Sequence, residues 1–222
     1  TKNKLFSIVA HDLRAPLASI ENYLSVLSKV DLSAEEKKTI EQSLLSSTKQ
    51  TSEMLQNLLY WSKDQMLGIS ANLNAINLLD TLNHTIALQQ TIALEKNIDL
   101  QHSIDPNLKV VADPDMLQLI VRNLLNNAVK FSLPGGEIRL MADLEVDQCV
   151  IKISDNGIGI NVGEGKDIFS VKHRGNYGTQ KEKGVGLGLV LAKNYIELQR
   201  GQIWYQNNPN GGTTFFISLP SS

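Results

Sequence analysis

Apolar residues recur at Leu5, Ile8, Val9, Leu13, Leu17, Ile20, Leu24 and Leu27. Steps of three and four put them along one side of a helix running to about Val30. Pro16 lies inside this stretch, removes a backbone hydrogen bond, and predicts a kink about a turn after His11. A short connection through Asp31 and Leu32 leads to Ser33 and Glu36, a serine followed three residues later by glutamate, the pattern of a capping box. A second stripe, Ile40, Leu44, Thr48, Thr51, Leu55, Leu58 and Leu59, carries a second helix to Trp61 or Met66. Two such helices form an antiparallel hairpin with one apolar stripe and too little surface of its own to bury it. The predicted closure is a homodimer through residues 1–66, in which two hairpins make a four-helix bundle.

After Gly68 the pattern changes, and the predicted domains are 1–68 and 69–222, with a linker from Ile69 to Asn77. Leu78 to Ala93 reads as a helix and Ile98 to Ile104 alternates like a strand. Asp113-Pro114 is a cap with proline at the first helical position, opening a helix to about Phe131. Glu137 to Leu144 and Gln148 to Asp155 read as paired strands, followed by a glycine-rich loop and a helix from Gly186 to Arg200. A terminal hairpin, Gln202 to Gln206 and Thr213 to Leu219, turns at Asn210-Gly211-Gly212. The expected fold is α+β: the helical hairpin, then a two-layer α/β sandwich.

The charge is nearly balanced, 21 basic against 23 acidic side chains, with no basic stripe. That argues against nucleic acid and against an anionic membrane surface as partners. No run approaches the roughly 18 apolar residues of a membrane span, so no direct membrane contact is expected and the compartment is read as cytoplasmic. The chain has no initiator methionine and opens in mid-helix, which suggests a piece of a longer protein whose input domain lies upstream. Cys149, alone of its kind, reads as a small buried residue. His84, His102 and His173 are scattered without metal-ligand spacing. The pair Tyr60-Trp61 reads as packing near the domain junction.

Four segments carry chemistry. Asn123, Asn127 and Lys130 fall on one face of their helix, where they can hold a metal and phosphates; the other reading is a solvated polar face. Asp155 ends a strand and can accept a hydrogen bond from an exocyclic amine, while Gly157 and Gly159 let the backbone bend close to a base. Gly184, Gly186 and Gly188 lead into a helix whose first amides can cradle phosphate, with Leu189 in its first turn. Near the front, His11 is followed at once by Asp12 and then Arg14. Imidazole attacks phosphorus through a neutral nitrogen, and a neighbouring carboxylate can orient the ring. Taken alone, a His-Asp pair is more often an ordinary surface feature.

In this order the segments resemble the core of a sensor histidine kinase: a dimerisation and phosphoacceptor hairpin followed by an ATP-binding domain of the Bergerat type, shared with Hsp90 chaperones, type II topoisomerases and mismatch-repair ATPases. The resemblance implies ATP and Mg²⁺ as cofactors, with Asn127 as magnesium ligand and Asn123 its neighbour on the phosphate side. It implies Lys130 as a phosphate contact, Asp155 as the adenine reader, Phe169 as the aromatic after the first glycine box, and Arg174 as the residue reaching the γ-phosphate. Lys181 and Lys183 are further candidate phosphate contacts or solvated charges. Lys172 replaces a common second aromatic, and Val185 a common threonine. The resemblance also implies that His11 accepts phosphate and passes it to an aspartate of a response-regulator receiver domain. In the ATP-hydrolysing relatives a glutamate stands at position 123 and activates water; asparagine cannot act as that base. A same-fold ATPase and a degenerate nucleotide-binding dimerisation module are the rival readings. Ala15 occupies the position that aligns water in relatives that dephosphorylate their regulator, so a kinase-dominant protein is expected.

Overall fold

A computed structural model describes residues 2–29, 32–67, 70–161, 167–170, 178–179 and 187–221. The chain divides into two compact units, Thr1–Ile69 and Ser70–Ser222. In the first, helices α1 (Lys2–Lys29) and α2 (Ala34–Leu67) lie against one another. Helix α1 continues on both sides of Pro16. The capping box at the start of α2 is formed in both directions: Ser33 Oγ accepts the Glu36 N–H at 3.3 Å, and Glu36 Oε2 accepts the Ser33 N–H at 2.9 Å. The Ser33 hydroxyl also donates to Glu36 at 2.7 Å, and these bonds hold the Glu36 carboxyl below the usual carboxylate range. Further along, Thr39, Ser43, Thr48 and Thr51 donate their hydroxyls to carbonyls four residues back, which keeps polar groups satisfied within the helix.

The second unit runs β1 (Asn74–Asn77), α3 (Leu78–Glu95), β2 (Asp99–Ser103), β3 (Lys109–Ala112), α4 (Pro114–Phe131), β4 (Glu137–Glu145), β5 (Gln148–Asp155), α5 (Gly188–Leu198), β6 (Gln202–Asn207) and β7 (Thr213–Pro220). Five strands form one sheet in the order β2-β4-β5-β7-β6, with β2 parallel to β4 and the other pairs antiparallel. β1 and β3 pair separately as an antiparallel ribbon. The end of the expected linker is thus a strand, and helix α5 is described from Gly188. Four-residue strands are too short for alternation to show in the sequence.

The helices cover one face of the large sheet. Ile138 and Leu140 of β4, Ile151 and Ile153 of β5, and Phe215 and Ile217 of β7 point into the core beneath Leu117, Ile120, Leu124 and Leu125 of α4. Each such side chain contributes roughly 1.5–3 kcal/mol by leaving water. The other face carries Lys152, Ser154, Thr214 and a stacked pair, Trp204 and Phe216, with centroids 5.2 Å apart. Cys149 is fully buried, and burial pushes its thiol up to about 11.

Helix α4 is fixed at its start by Asp113, whose Oδ1 accepts the N–H groups of Asp115 and Met116 at 3.1 Å, with Pro114 next in the chain. The same carboxylate accepts the Asn72 N–H through Oδ2 at 2.9 Å. That bond ties the chain entering β1 to the helix that carries the asparagines.

Candidate functional site

Ten residues of α4 are buried, because the helix lies across the sheet with one broad face inward. Asn123 is among them at 9% exposure, a position where a polar side chain needs a partner. It donates from Nδ2 to the Gly188 carbonyl at 3.3 Å. Gly188, the first residue of α5, lies close enough that an added Cβ would sit 3.6 Å from Asn123 Cγ. The N-terminal end of α5, where backbone N–H groups and the helix dipole favour anions, is therefore held beside Asn123. Leu187 caps α5 without a side-chain hydrogen bond, and Leu189 follows, half-buried.

One turn on, Asn127 is half-buried, and its amide makes no hydrogen bond among the described residues. Lys130 is half-buried too, with its ammonium 5.0 Å from the centre of the Phe131 ring. Asn123, Asn127 and Lys130 thus lie along one flank of α4 that leads from the start of α5 to the end of α4 itself.

At that end β5 delivers Asp155, 6% exposed. Its Oδ1 accepts the N–H groups of Gly157 at 2.9 Å and Thr213 at 3.2 Å, which commits that oxygen and leaves Oδ2 for another donor. Burial pushes the Asp155 carboxyl above its ordinary range, against the pull of these two bonds. Gly157 has to be glycine: a Cβ there would strike the Phe131 carbonyl, and the Ile158 N–H donates to the same oxygen at 3.2 Å. Gly159, at φ +70°, turns the chain back toward Asn207, which holds Ile160 by both its N–H and its carbonyl.

Sequence reasoning read the terminal hairpin as a turn and missed its role here. Gly212 has φ +87° and packs so closely on the Asp155 carbonyl that no side chain fits. Asn208 donates to that carbonyl at 2.8 Å. Only the Asn-Gly-Gly run hinted at a demanding backbone, and nothing in it pointed to Asp155.

Phe169 lies edge-on to Tyr205 at 6.4 Å and beneath the Lys193 ammonium at 5.8 Å. Arg174, Lys172, Lys181, Lys183, Gly184, Val185 and Gly186 lie outside the described residues, as does His173. His11 and Asp12 fall on α1, with Arg14 exposed one turn on; the side chains of His11, Asp12, Ala15 and every residue from Gln56 to Ile69, including Tyr60 and Trp61, lie outside the description. His84 and His102 are exposed.

A two-layer sandwich in which a buried carboxylate, an asparagine-bearing helix and a helix N-terminus converge defines a nucleotide-binding domain. Residues 112–222 match the family model described as "Histidine kinase-, DNA gyrase B-, and HSP90-like ATPase", and residues 1–66 that of the "His Kinase A (phospho-acceptor) domain". The chain belongs to the histidine kinase family. It is 29% identical over 219 residues to the sensor histidine kinase WalK of Bacillus subtilis, covering 96% of this chain and 35% of that protein. It is 30% identical over 231 residues to drug sensory protein A of Synechocystis, covering 98% and 35%. The chain thus spans about a third of the length of these curated relatives. Among solved structures, histidine kinase AdeS of Acinetobacter baumannii superposes with a TM-score of 0.74 at 19% identity, covering 96% of this chain and 98% of that one. Histidine kinase ThkA in complex with response regulator TrrA gives 0.75 at 20% identity, covering 99% and 61%.

Proposed function

We propose that this chain is the kinase core of a two-component signalling protein, transferring the γ-phosphoryl group of ATP to His11 and from there to an aspartate of a response-regulator receiver domain. The observation that carries the reading is the pairing of a phosphoacceptor helix with a nucleotide site whose residue 123 is asparagine. Asn123 is turned to the Gly188 carbonyl and cannot serve as a base toward water, so the nucleotide is kept for another acceptor.

Asp155 Oδ2 accepts the adenine amine, with Gly157 bending the backbone against the base. Asn127, Lys130 and the start of α5 face the phosphates. Among the described residues no cluster of three His, Cys, Asp or Glu side chains is placed to hold a metal. The half-buried Asn127 side chain, which has no hydrogen bond among the described residues, offers a hard oxygen that would hold Mg²⁺ beside the phosphates. When bound, Mg²⁺ supplies neutralisation of phosphate charge. Asp12 orients the His11 ring; a ring nitrogen forms the new P–N bond as the bond to the ADP oxygen breaks. A carboxylate oxygen of the receiver aspartate then takes the phosphoryl group and His11 leaves. Arg174 and Lys183 complete the charge around the phosphates, Phe169 borders the site, and Gly184 and Gly186 belong to the phosphate segment. Residues 1–68 serve dimerisation and phosphoacceptance, and 69–222 serve nucleotide binding.

Dimerisation is supported by apolar side chains left exposed on the hairpin: Leu17 at 47% and Leu24 at 51%, two turns apart on α1, with Leu45 at 58% and Leu55 at 44% on α2. No helix among the described residues is long and apolar enough to cross a membrane, and the reaction belongs in the cytoplasm, where ATP is supplied. The partner assignment draws support from the ThkA structure, which is a complex with a response regulator, and the nucleotide assignment from full-length ShkA, solved in complex with AMPPNP.

Incubation with γ-labelled ATP and Mg²⁺ tests the reading. Acid-labile label on the chain, transferable to a receiver domain, is expected. Release of free phosphate without labelled protein would make it an ATPase, and neither product would make it a binding module.

A further inference from the structure

Helix α4 carries the asparagines and helix α5 presents its first turn beside them, so the depth at which one helix sits along the other sets the spacing of the groups that face the phosphates. Gln199, the residue that closes α5, is fully buried. A buried carboxamide needs partners for both its nitrogen and its oxygen. Its Nε2 donates to the Tyr195 carbonyl one turn back at 2.9 Å, and its Oε1 accepts the N–H of Asp113 at 2.9 Å.

Asp113 is the N-cap of α4. In a capping box the N–H of the N-cap residue is taken by a glutamate or glutamine three residues on. Glu36 does this for Ser33 at the start of α2. In α4 that position is Met116, buried and with no oxygen to offer. Gln199 therefore supplies the missing half of the box from a different helix. The second tie between the two helices is the bond from Asn123 Nδ2 to the Gly188 carbonyl. From Asp113 to Asn123 is about 15 Å of helix rise, and from Gly188 to Gln199 about 16 Å. The two spans match and run in opposite chain directions, so α5 packs antiparallel along α4 with one tie near each of its ends. Strand β6 follows at Gln202, which holds the C-terminal end of α5 to the sheet through the chain itself. The adenine reader is held elsewhere: the bonds to Asp155 Oδ1 come from the loop after β5 and from β7.

We propose that Gln199 is a positioning residue for the triphosphate: by joining the cap of α4 to the last turn of α5, it sets the register of the two helices and so the placement of Asn127 and Lys130 against the first turn of α5. The inference rests on the nucleotide-site reading above. Gln199 itself lies a helix length from the phosphates and touches no ligand; its effect reaches them through α5.

The test compares Met116→Gln with the exchange Met116→Gln/Gln199→Met. Both chains hold a glutamine at the third position of α4 that can complete the cap locally, and they differ only in the tie to α5. Kd values for Mg·ATP and for adenosine are measured by calorimetry, and the thermal midpoint by circular dichroism, on the whole chain. Relative to Met116→Gln, the exchange should raise the Kd for Mg·ATP about tenfold, one hydrogen bond's worth of lost alignment, and leave that for adenosine within about twofold. Gln199→Met alone should show the same divergence between the two ligands with a lower midpoint. Mg·ATP binding by the exchange as tight as by Met116→Gln would show that Gln199 only caps α4 and would overturn the inference. A loss shared equally by adenosine, or chains without Gln199 that fold in neither background, would make the residue structural and overturn it too. If Met116→Gln does not fold, Gln199→Met against the wild type decides by the same two constants. A wild-type chain that binds no Mg·ATP would overturn the nucleotide reading itself, a distinguishable result.

Discussion

Replacing Asp155 with asparagine should separate nucleotide recognition from folding. Asparagine keeps an oxygen where Oδ1 accepts the Gly157 and Thr213 N–H groups, so the backbone cradle survives. It puts an NH₂ donor where Oδ2 stood, and on the proposed reading that position meets the adenine amine, which is itself a donor. One charge-assisted hydrogen bond is lost, about 1.5–3 kcal/mol, or roughly a 10- to 150-fold rise in the Kd for ATP. Stability should move the other way. Burial raises the Asp155 pKa, so between the ordinary carboxylate range and that raised value the folded chain holds more protons than the unfolded one. Stability from this group is therefore present at low pH and is lost as pH rises through the raised pKa. Asparagine has no charge to desolvate at any pH, so Asp155→Asn should melt at the same temperature as the wild type or higher, with any gain growing as pH rises. Calorimetric titration with ATP and a thermal melt at pH 7 and at pH 5 give both numbers. An affinity within about threefold of wild type, below one hydrogen bond's worth, would refute the adenine assignment. A lowered melting temperature would show that the carboxylate is structural.

Gly157→Ala should disrupt the same site sterically: its Cβ meets the Phe131 carbonyl, and relieving the clash should cost about 1–3 kcal/mol, seen as a lower melting midpoint and weaker ATP binding. Ser33→Ala removes one half of the capping box and should destabilise α2 by about 1 kcal/mol, read from chemical denaturation of the chain. The Cys149 thiol, pushed up to about 11 by burial, should react with a thiol reagent at pH 8 far more slowly than in denaturant; equal rates would contradict its burial.

Much of the fold could be read from the sequence where the local signal was strong. The Ser33 and Asp113 caps, the apolar stripes of α1 and α2 and the alternation around β2 each specify their element without help from distant residues. β1 and β3 could not be found that way, because four-residue strands exist only through pairing with each other. In the site, Asp155 and Gly157 were visible as a carboxylate followed by a glycine turn. The residues that hold them, Asn208, Gly212 and Thr213, lie more than fifty positions away and meet Asp155 only because β5 and β7 pair in one register. Gln199 was invisible for a related reason. A glutamine at a helix end ordinarily caps its own helix, as this one does at Tyr195, and only the placement of α4 beside it gives its oxygen the Asp113 N–H.

The central claim, that the bound nucleotide's γ-phosphoryl goes to His11, is tested most directly by mapping the modified residue. After incubation with Mg·ATP, the chain digested at neutral pH and analysed by mass spectrometry should carry one acid-labile phosphoryl group on the peptide containing His11. His11→Gln should bind Mg·ATP with wild-type affinity and show no labelled peptide. Phosphorylation of His11→Gln at the wild-type level, or a phosphoryl group mapped to another residue, would contradict the account.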